Sequence, residues 1–191
     1  MATITELLCM HREHEKHLHH IHLSASWMSL GRLMRQSPAE QWRLKGNAES
    51  LELLVQEVVR AVVARESDAR GLANIAYAAA SAFATMGQVD AQLFTALARE
   101  AERRVWYFNA QGLANTAWAF ATLGQLDAKL FMALARAAER CVGNFTTHGL
   151  ANTAWAFATL GQPDAQLFTA LANEAQRRVG DFNPQELANT A

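Results

Sequence analysis

The chain of 191 residues has only two cysteines, Cys9 and Cys141. A disulfide-stapled secreted domain of this size would carry more, and no CxxC pair offers a zinc site, so a reducing compartment is expected. No run of about eighteen apolar residues occurs, so no segment reads as a membrane-spanning helix. Charge of one sign is also missing: 18 acidic residues face 17 basic ones, for a net charge of −1. No global basic field advertises nucleic acid, and any surface for a polyanion must be a local arrangement. The opening "MATITELLCMHREHEKH" includes Glu6, Glu13 and Glu15. It lacks the apolar core of a signal peptide, and acids are uncommon in transit peptides.

Catalytic signatures are absent as well. There is no Gly-rich phosphate loop, no GxSxG and no repeated carboxylate pair with room between, so no enzyme and no cofactor is expected. The run "HREHEKHLHHIH" holds six of the seven histidines, but "HEKH" is not HExxH, because Leu18 stands four residues after His14. Spacings of three and two put no clean ligand set on one helix face. A solvated, helical N-terminal extension is therefore preferred over a metal site.

What the chain does have is repetition. "GLANTAWAFATLGQ" runs from Gly112 to Gln125 and again from Gly149 to Gln162, and a third copy begins at Glu186. The Leu-Ala-Asn triplet starts at Leu72, Leu113, Leu150 and Leu187, a first step of 41 residues followed by two of 37. A fixed period of this size signals a solenoid or array. The longer step carries "AAAS" (Ala78 to Ser81) before "AFATMGQ". Four residues turn a helix by about 400°, so the insertion keeps nearly the same face.

Each unit shows two helices. Asp68, Asn109, Thr146 and Asn183 stand where a side chain caps the first helix, and "NPQE" adds Pro184 and Glu186 as a capping box. Phe108, Phe145 and Phe182 precede the caps, positioned to staple onto Leu113, Leu150 and Leu187. Gly87, Gly124 and Gly161 end that helix, and Asp90, Asp127 and Asp164 start the next. Neither helix can bury its apolar stripe alone, so neighbouring units must cover each other.

The expected fold is all-α, an α-solenoid of helix-turn-helix units of about 37 residues. Its parts are a His-rich extension (1–20), a divergent capping repeat (21–66), and repeats at 67–107, 108–144 and 145–181. A repeat at 182–191 breaks off inside its first helix, and more chain is expected beyond it. In the capping repeat Trp27 is placed where Trp118 and Trp155 stand, "SPAEQW" reads as a short capped helix, and Glu49 to Glu66 as an amphipathic one.

On the first helix of each unit, one stripe is left over from the apolar rows. It comprises Arg70 and Asn74, then Gln111, Asn115 and Thr122, then His148, Asn152 and Thr159, then Gln185 and Asn189. Hydrogen-bonding side chains at fixed height on successive units form a ladder that could read RNA bases. The plainer reading is that the asparagines join adjacent helices, since a buried amide must find partners. At the Arg70/Gln111/His148 slot, which varies while its frame is copied, recognition is preferred. Trp27, Trp118 and Trp155, with Tyr77 at the same slot, read first as core and second as stacking platforms. The second-helix arginines, with Glu100, Glu102, Glu139 and Glu174 among them, read as solvated faces.

The phrases "FNPQELANTA" and "FNAQGLANTAWAFATLGQ" resemble the octotricopeptide-type repeats of organellar RNA-binding proteins. They also resemble the helical repeats of FAST-kinase-like and RNA-editing substrate-binding complex proteins. The likeness is clear over 72–191 and faint over 22–66. It implies single-stranded RNA as partner, together with proteins of an RNA-processing complex, in a mitochondrion or plastid. It further implies effects on transcript stability, processing, translation or editing. Only Asn183, Pro184 and Gln185 keep the Asn-Pro-Gln motif intact. Nothing matches the RAP module that many such proteins carry, so the resemblance brings no enzymatic activity. It implies no membrane and no small-molecule substrate. A rival of a different class is a protein-interaction scaffold of the armadillo or TPR sort, which holds a peptide in its groove.

Overall fold

A computed structural model describes residues 3–14 and 20–190. Among the described residues there are eleven α-helices and no strand. They are α1 (Ile4–His14), α2 (His20–Gln36), α3 (Pro38–Lys45), α4 (Ala48–Val63), α5 (Ala69–Met86) and α6 (Ala91–Arg104), followed by α7 (Ala110–Thr122), α8 (Ala128–Arg140), α9 (Thr147–Thr159), α10 (Ala165–Arg177) and α11 (Pro184–Thr190). No helix among the described residues is long and apolar enough to cross a membrane.

Local chemistry sets the helix ends. The side chains of Asp68, Asn109 and Thr146 accept from the amides of Gly71, Gly112 and Gly149 at 2.7, 2.8 and 3.0 Å. Asn183 and Glu186 cap each other reciprocally, at 2.9 and 3.0 Å. At the other end Gly87, Gly124 and Gly161 adopt φ of 65°, 63° and 61°. There the amides of Gln88, Gln125 and Gln162 reach back to the carbonyls of Phe83, Phe120 and Phe157. This six-to-one closure needs a left-handed residue, which glycine supplies without strain. Asp90, Asp127 and Asp164 then cap α6, α8 and α10.

The helices form two layers. Helices α2, α5, α7, α9 and α11 pack each on the next in an inner layer, and α4, α6, α8 and α10 follow one another in an outer layer. The inner interfaces are much the more extensive. Phenylalanines link the layers: Phe94 of α6 meets Phe120 of α7 edge-on at 5.1 Å, and Phe131 of α8 meets Phe157 of α9 at 4.9 Å. Burial of each ring is worth roughly 1.5–3 kcal/mol, and the edge-to-face contact adds about 0.5–1.5. These rings thus reach the first helix that follows, while each second helix packs mainly on its own partner and on the neighbouring second helices.

The four extra residues of α5 form an additional turn within one unbroken helix of 18 residues, against 13 in α7 and α9, the fifth residue of the difference being Met86, whose counterparts Leu123 and Leu160 are the caps of those helices. Ala78, Ala79, Ala80, Ser81 and Ala82 are all buried. A Cβ on Gly31 of α2 would sit 3.1 Å from the carbonyl oxygen of Ala78, and Arg35 donates to the Ser81 hydroxyl at 3.0 Å. The turn therefore fills the face of α2, itself 17 residues long.

Three expectations need correction. Trp27 does not occupy the environment of Trp118 and Trp155. It is fully buried, 5.9 Å from Phe83, whereas the other two are half-buried. Residues 3–14 do not form a solvated extension either. Ile4, Leu7 and Leu8 are buried as α1 packs on α2, α3 and α4, and the buried Glu40 carboxylate accepts from the Ile4 amide at 2.7 Å. The histidine run falls largely on 15–19 and on neighbouring side chains outside the described residues.

The third correction concerns Glu100 and Glu174, which are buried rather than solvated. Glu100 accepts from Arg103 and Arg104, and Arg104 donates onward to the Arg65 carbonyl at 3.1 Å. Glu174 accepts from Arg177 at 2.8 Å and lies 3.7 Å from Arg178, which donates to the Phe145 carbonyl at 2.6 Å. Each arginine ties the end of a helix pair to the loop at its start. At the matching places α8 has Ala137 and Cys141, so both members of the clasp are missing together. There the guanidinium of Arg140 lies over the Trp106 ring at 4.5 Å instead.

Candidate functional site

The left-over stripe lies on the inner layer and divides into distinct environments. Arg70 and Asn74 stand in the first turns of α5, where Arg70 is exposed and Asn74 half-buried. With Ser24, Met28 and Asp68 they line a cavity of about 350 Å³ between α2 and α5. On α7 Gln111 is exposed and Asn115 half-buried, while the Thr122 hydroxyl is buried without a partner. These three line neither this cavity nor the one described next. Thr159 is exposed near the end of α9 and also lies apart.

The remaining four converge. His148 and Asn152 of α9, with Gln185 and Asn189 of α11, line a cavity of about 200 Å³ whose other walls include Tyr77 of α5 and Trp118 of α7. Four successive inner helices thus contribute to one cavity.

The Asn152 amide nitrogen lies 3.0 Å from His148 Nε2, one turn earlier on the same helix. If that nitrogen donates, the imidazole carries its proton on Nδ1, which lies 3.8 Å from Glu186 Oε1. Glu186 is also the residue whose carboxylate caps α11. Among the described residues, no hydrogen bond runs from the side chain of Asn74, Asn115 or Asn189 to a neighbouring helix. Their exposed edges face the cavities or the solvent between them.

Aromatic rings supply the second component. Tyr77 and Trp118 are tilted against each other with centroids 4.8 Å apart, and the Arg35 guanidinium lies 5.5 Å from the Tyr77 centroid. Arg35, Tyr77 and Trp118 therefore form a row across α2, α5 and α7, held by the bond from Arg35 to Ser81. Both rings are half-buried, each resting on the core and keeping an open part. The ladder expected from sequence did not include Tyr77, Trp118, Asn183, Ser24 or Met28. The signal available was the aromatic slot shared by Tyr77, Trp118 and Trp155, which fits a core residue equally well.

Chemically, the cavity offers amides that donate and accept, one imidazole, a buried carboxylate engaged as a cap, and aromatic surface. Among the described residues no group of three or more His, Cys, Asp or Glu side chains could hold a metal ion. The only thiol near the clasps, Cys141, donates to the Ala137 carbonyl at 3.3 Å, and burial pushes its pKa up.

Fold and cavity together define an all-helical protein of paired helices whose inner layer gathers polar and aromatic side chains. The model of the RNA-editing substrate-binding complex 6 protein family matches residues 51–191, and the chain belongs to that family. The match spans α4 to α11 and so takes in every stripe residue named above. No curated protein matches the chain. Of the families that the repeats resemble, the match is with the RNA-editing one.

Proposed function

We propose that this chain is a non-catalytic α-solenoid of units of about 37 residues that binds single-stranded RNA along its inner layer. In this reading it serves an RNA-editing complex in a mitochondrion or plastid. The observation that carries the reading is the cavity walled by Tyr77, Trp118, His148, Asn152, Gln185 and Asn189, drawn from four successive inner helices. Unpaired bases are recognised by stacking and by hydrogen bonds to their edges, and this cavity supplies both kinds of group. Membership of a family named for an RNA-editing complex supports the same reading, and the resemblance of the repeats supports the organelle.

Within the proposal Arg70, Asn74, Gln111, Asn115, Thr122, His148, Asn152, Thr159, Gln185 and Asn189 are the RNA-contacting residues. Asn152 and His148 act as a bonded pair, and Trp118 provides the stacking face. Cations on the inner layer are few, chiefly Arg32, Arg35 and Arg70, so phosphate contacts are few as well. Each contact with a single strand steepens the logarithmic salt dependence by roughly 0.7, so the slope should be shallow.

The test is binding of a labelled single-stranded RNA pool to the full chain at low and high salt. Expected results are saturable binding at low salt, a shallow salt slope, and weakening of about 1–3 kcal/mol in Trp118→Ala. Failure to bind at low salt, together with capture of a peptide in the groove, would establish the protein-scaffold alternative. The near-neutral, amide-rich lining is the feature that favours that rival.

A further inference from the structure

A cavity of about 580 Å³ lies away from the inner layer. It lies on the outer seam between α4 and α6, and the function proposed above makes no use of it. Its floor is aliphatic, formed by Val59, Val62, Val63 and Ala96. Val63 is 68% exposed, and the uncharged polar residues of the lining are Gln92 and Thr95. A second cavity of about 270 Å³ shares Val59 and Val63 and carries the depression along α4 as far as Glu52. From Glu52 to Val63 the helix advances about 17 Å, the length of roughly three helical turns.

The rim is cationic. Arg65, Arg99 and Arg103 edge the larger cavity, and its only acidic residue is Glu100, which is buried and already engaged by Arg103 and Arg104. Neither Arg65 nor Arg99 takes part in any ion pair among the described residues. Arg65 also sits at φ 62°, the one non-glycine residue with positive φ among those described. Gly87, Gly124 and Gly161 fill every other such position. An L-residue there costs roughly 1–2 kcal/mol relative to glycine. The clasp uses only the Arg65 carbonyl, which a glycine would offer as well. The side chain is the part that the clasp leaves unexplained.

We infer that the α4–α6 seam is a docking groove for an acidic amphipathic helix of a partner protein. A helix of about twelve residues spans the seam, and anchors at i, i+3 or i+4, and i+7 enter the aliphatic floor. Its acidic end lies over Arg65, Arg99 and Arg103, because the far end of the seam is lined by Glu52 and by Arg60, which is already paired with Glu57 and Glu66. Charge at the rim sets which partner docks and how fast, and apolar burial holds it. A nucleic acid fits poorly here, since neither cavity is lined by an aromatic ring on which a base could stack.

The probe is a labelled helical peptide of about twelve residues with leucines at the anchor positions and glutamates elsewhere, titrated into the full chain. A matched peptide with lysines in place of the glutamates, and a single-stranded oligouridine competitor, are run beside it. Expected results are saturable binding of the acidic peptide, no saturable binding of the lysine peptide, and no displacement by oligouridine. Val63→Asp and Arg99→Glu should each weaken binding by roughly tenfold or more. Both residues are exposed, and circular dichroism melting checks that each variant folds; should one fail, the other decides. Equal binding of both peptides, indifference to the variants, or displacement by oligouridine overturns the inference.

Discussion

Replacing Arg104 with alanine should cost more than replacing Glu100, although the two are partners. The Glu100 carboxylate is buried and held by Arg104 and, at 3.4 Å, by Arg103, whose side chain is half exposed. Arg104→Ala leaves that carboxylate in place with only the weaker contact. A buried carboxylate stripped of its main partner costs several kcal/mol. The Arg104 side chain is itself 31% exposed, and solvent discounts the figure to about 2–3 kcal/mol. Glu100→Ala removes the buried charge instead and frees two arginines that water can solvate, at about 1 kcal/mol. The double variant Glu100→Ala/Arg104→Ala removes both members, as Ala137 and Cys141 do at the matching places, and should resemble Glu100→Ala alone. The cycle then gives a coupling of roughly 2–3 kcal/mol. Urea titration supplies the free energies. Hydrogen exchange at the amides around Arg65 localises the change, which matters because stacked helix pairs open in pieces rather than all at once. Additive single variants, or an Arg104→Ala no worse than Glu100→Ala, would refute the reasoning.

Three further outcomes follow from the local geometry. Gly124→Ala, at φ 63° with open space around the new Cβ, should lose about 1 kcal/mol in a urea melt, while Gly143→Ala, equally uncrowded but without positive φ, should not. Phe131→Ala should lose about 3–5 kcal/mol by thermal melting, because it removes both a buried ring and its edge contact with Phe157. Cys141 should be alkylated with a midpoint pH above that of N-acetylcysteine measured alongside, because burial favours its neutral thiol. The sign for stability follows: the folded chain holds that proton more tightly, so the contribution is complete below the ordinary thiol pKa and fades as pH rises past it. A midpoint equal to that of the free thiol would contradict this.

Helix boundaries were legible because their signals are local. Asp68, Asn109, Thr146 and Asn183 each bond an amide three residues on, and Gly87, Gly124 and Gly161 announce a left-handed turn wherever they stand. The clasp was not legible, since Glu100 and Arg104 four residues apart look like any solvated pair on a helix surface. What marks them is a carbonyl 39 positions earlier in the chain. The burial of α1 was hidden behind the histidines that follow it, although Ile4, Leu7 and Leu8 already spell one apolar face. The stripe of candidate contacts could be read from periodicity, and its ten residues fall on α5, α7, α9 and α11. Their grouping could not be read, because which of them share a cavity depends on how the inner helices pack on one another.

The unequal packing of the two layers has a mechanical consequence. A stack glued firmly along one side and loosely along the other deforms most cheaply by fanning its loose side, as a hinged screen does. The inner helices keep their neighbours during such a motion, while the seams of the outer row widen or narrow. Anything wedged into an outer seam would therefore change the tilt between neighbouring inner helices, and with it the shape of the cavities that those helices line.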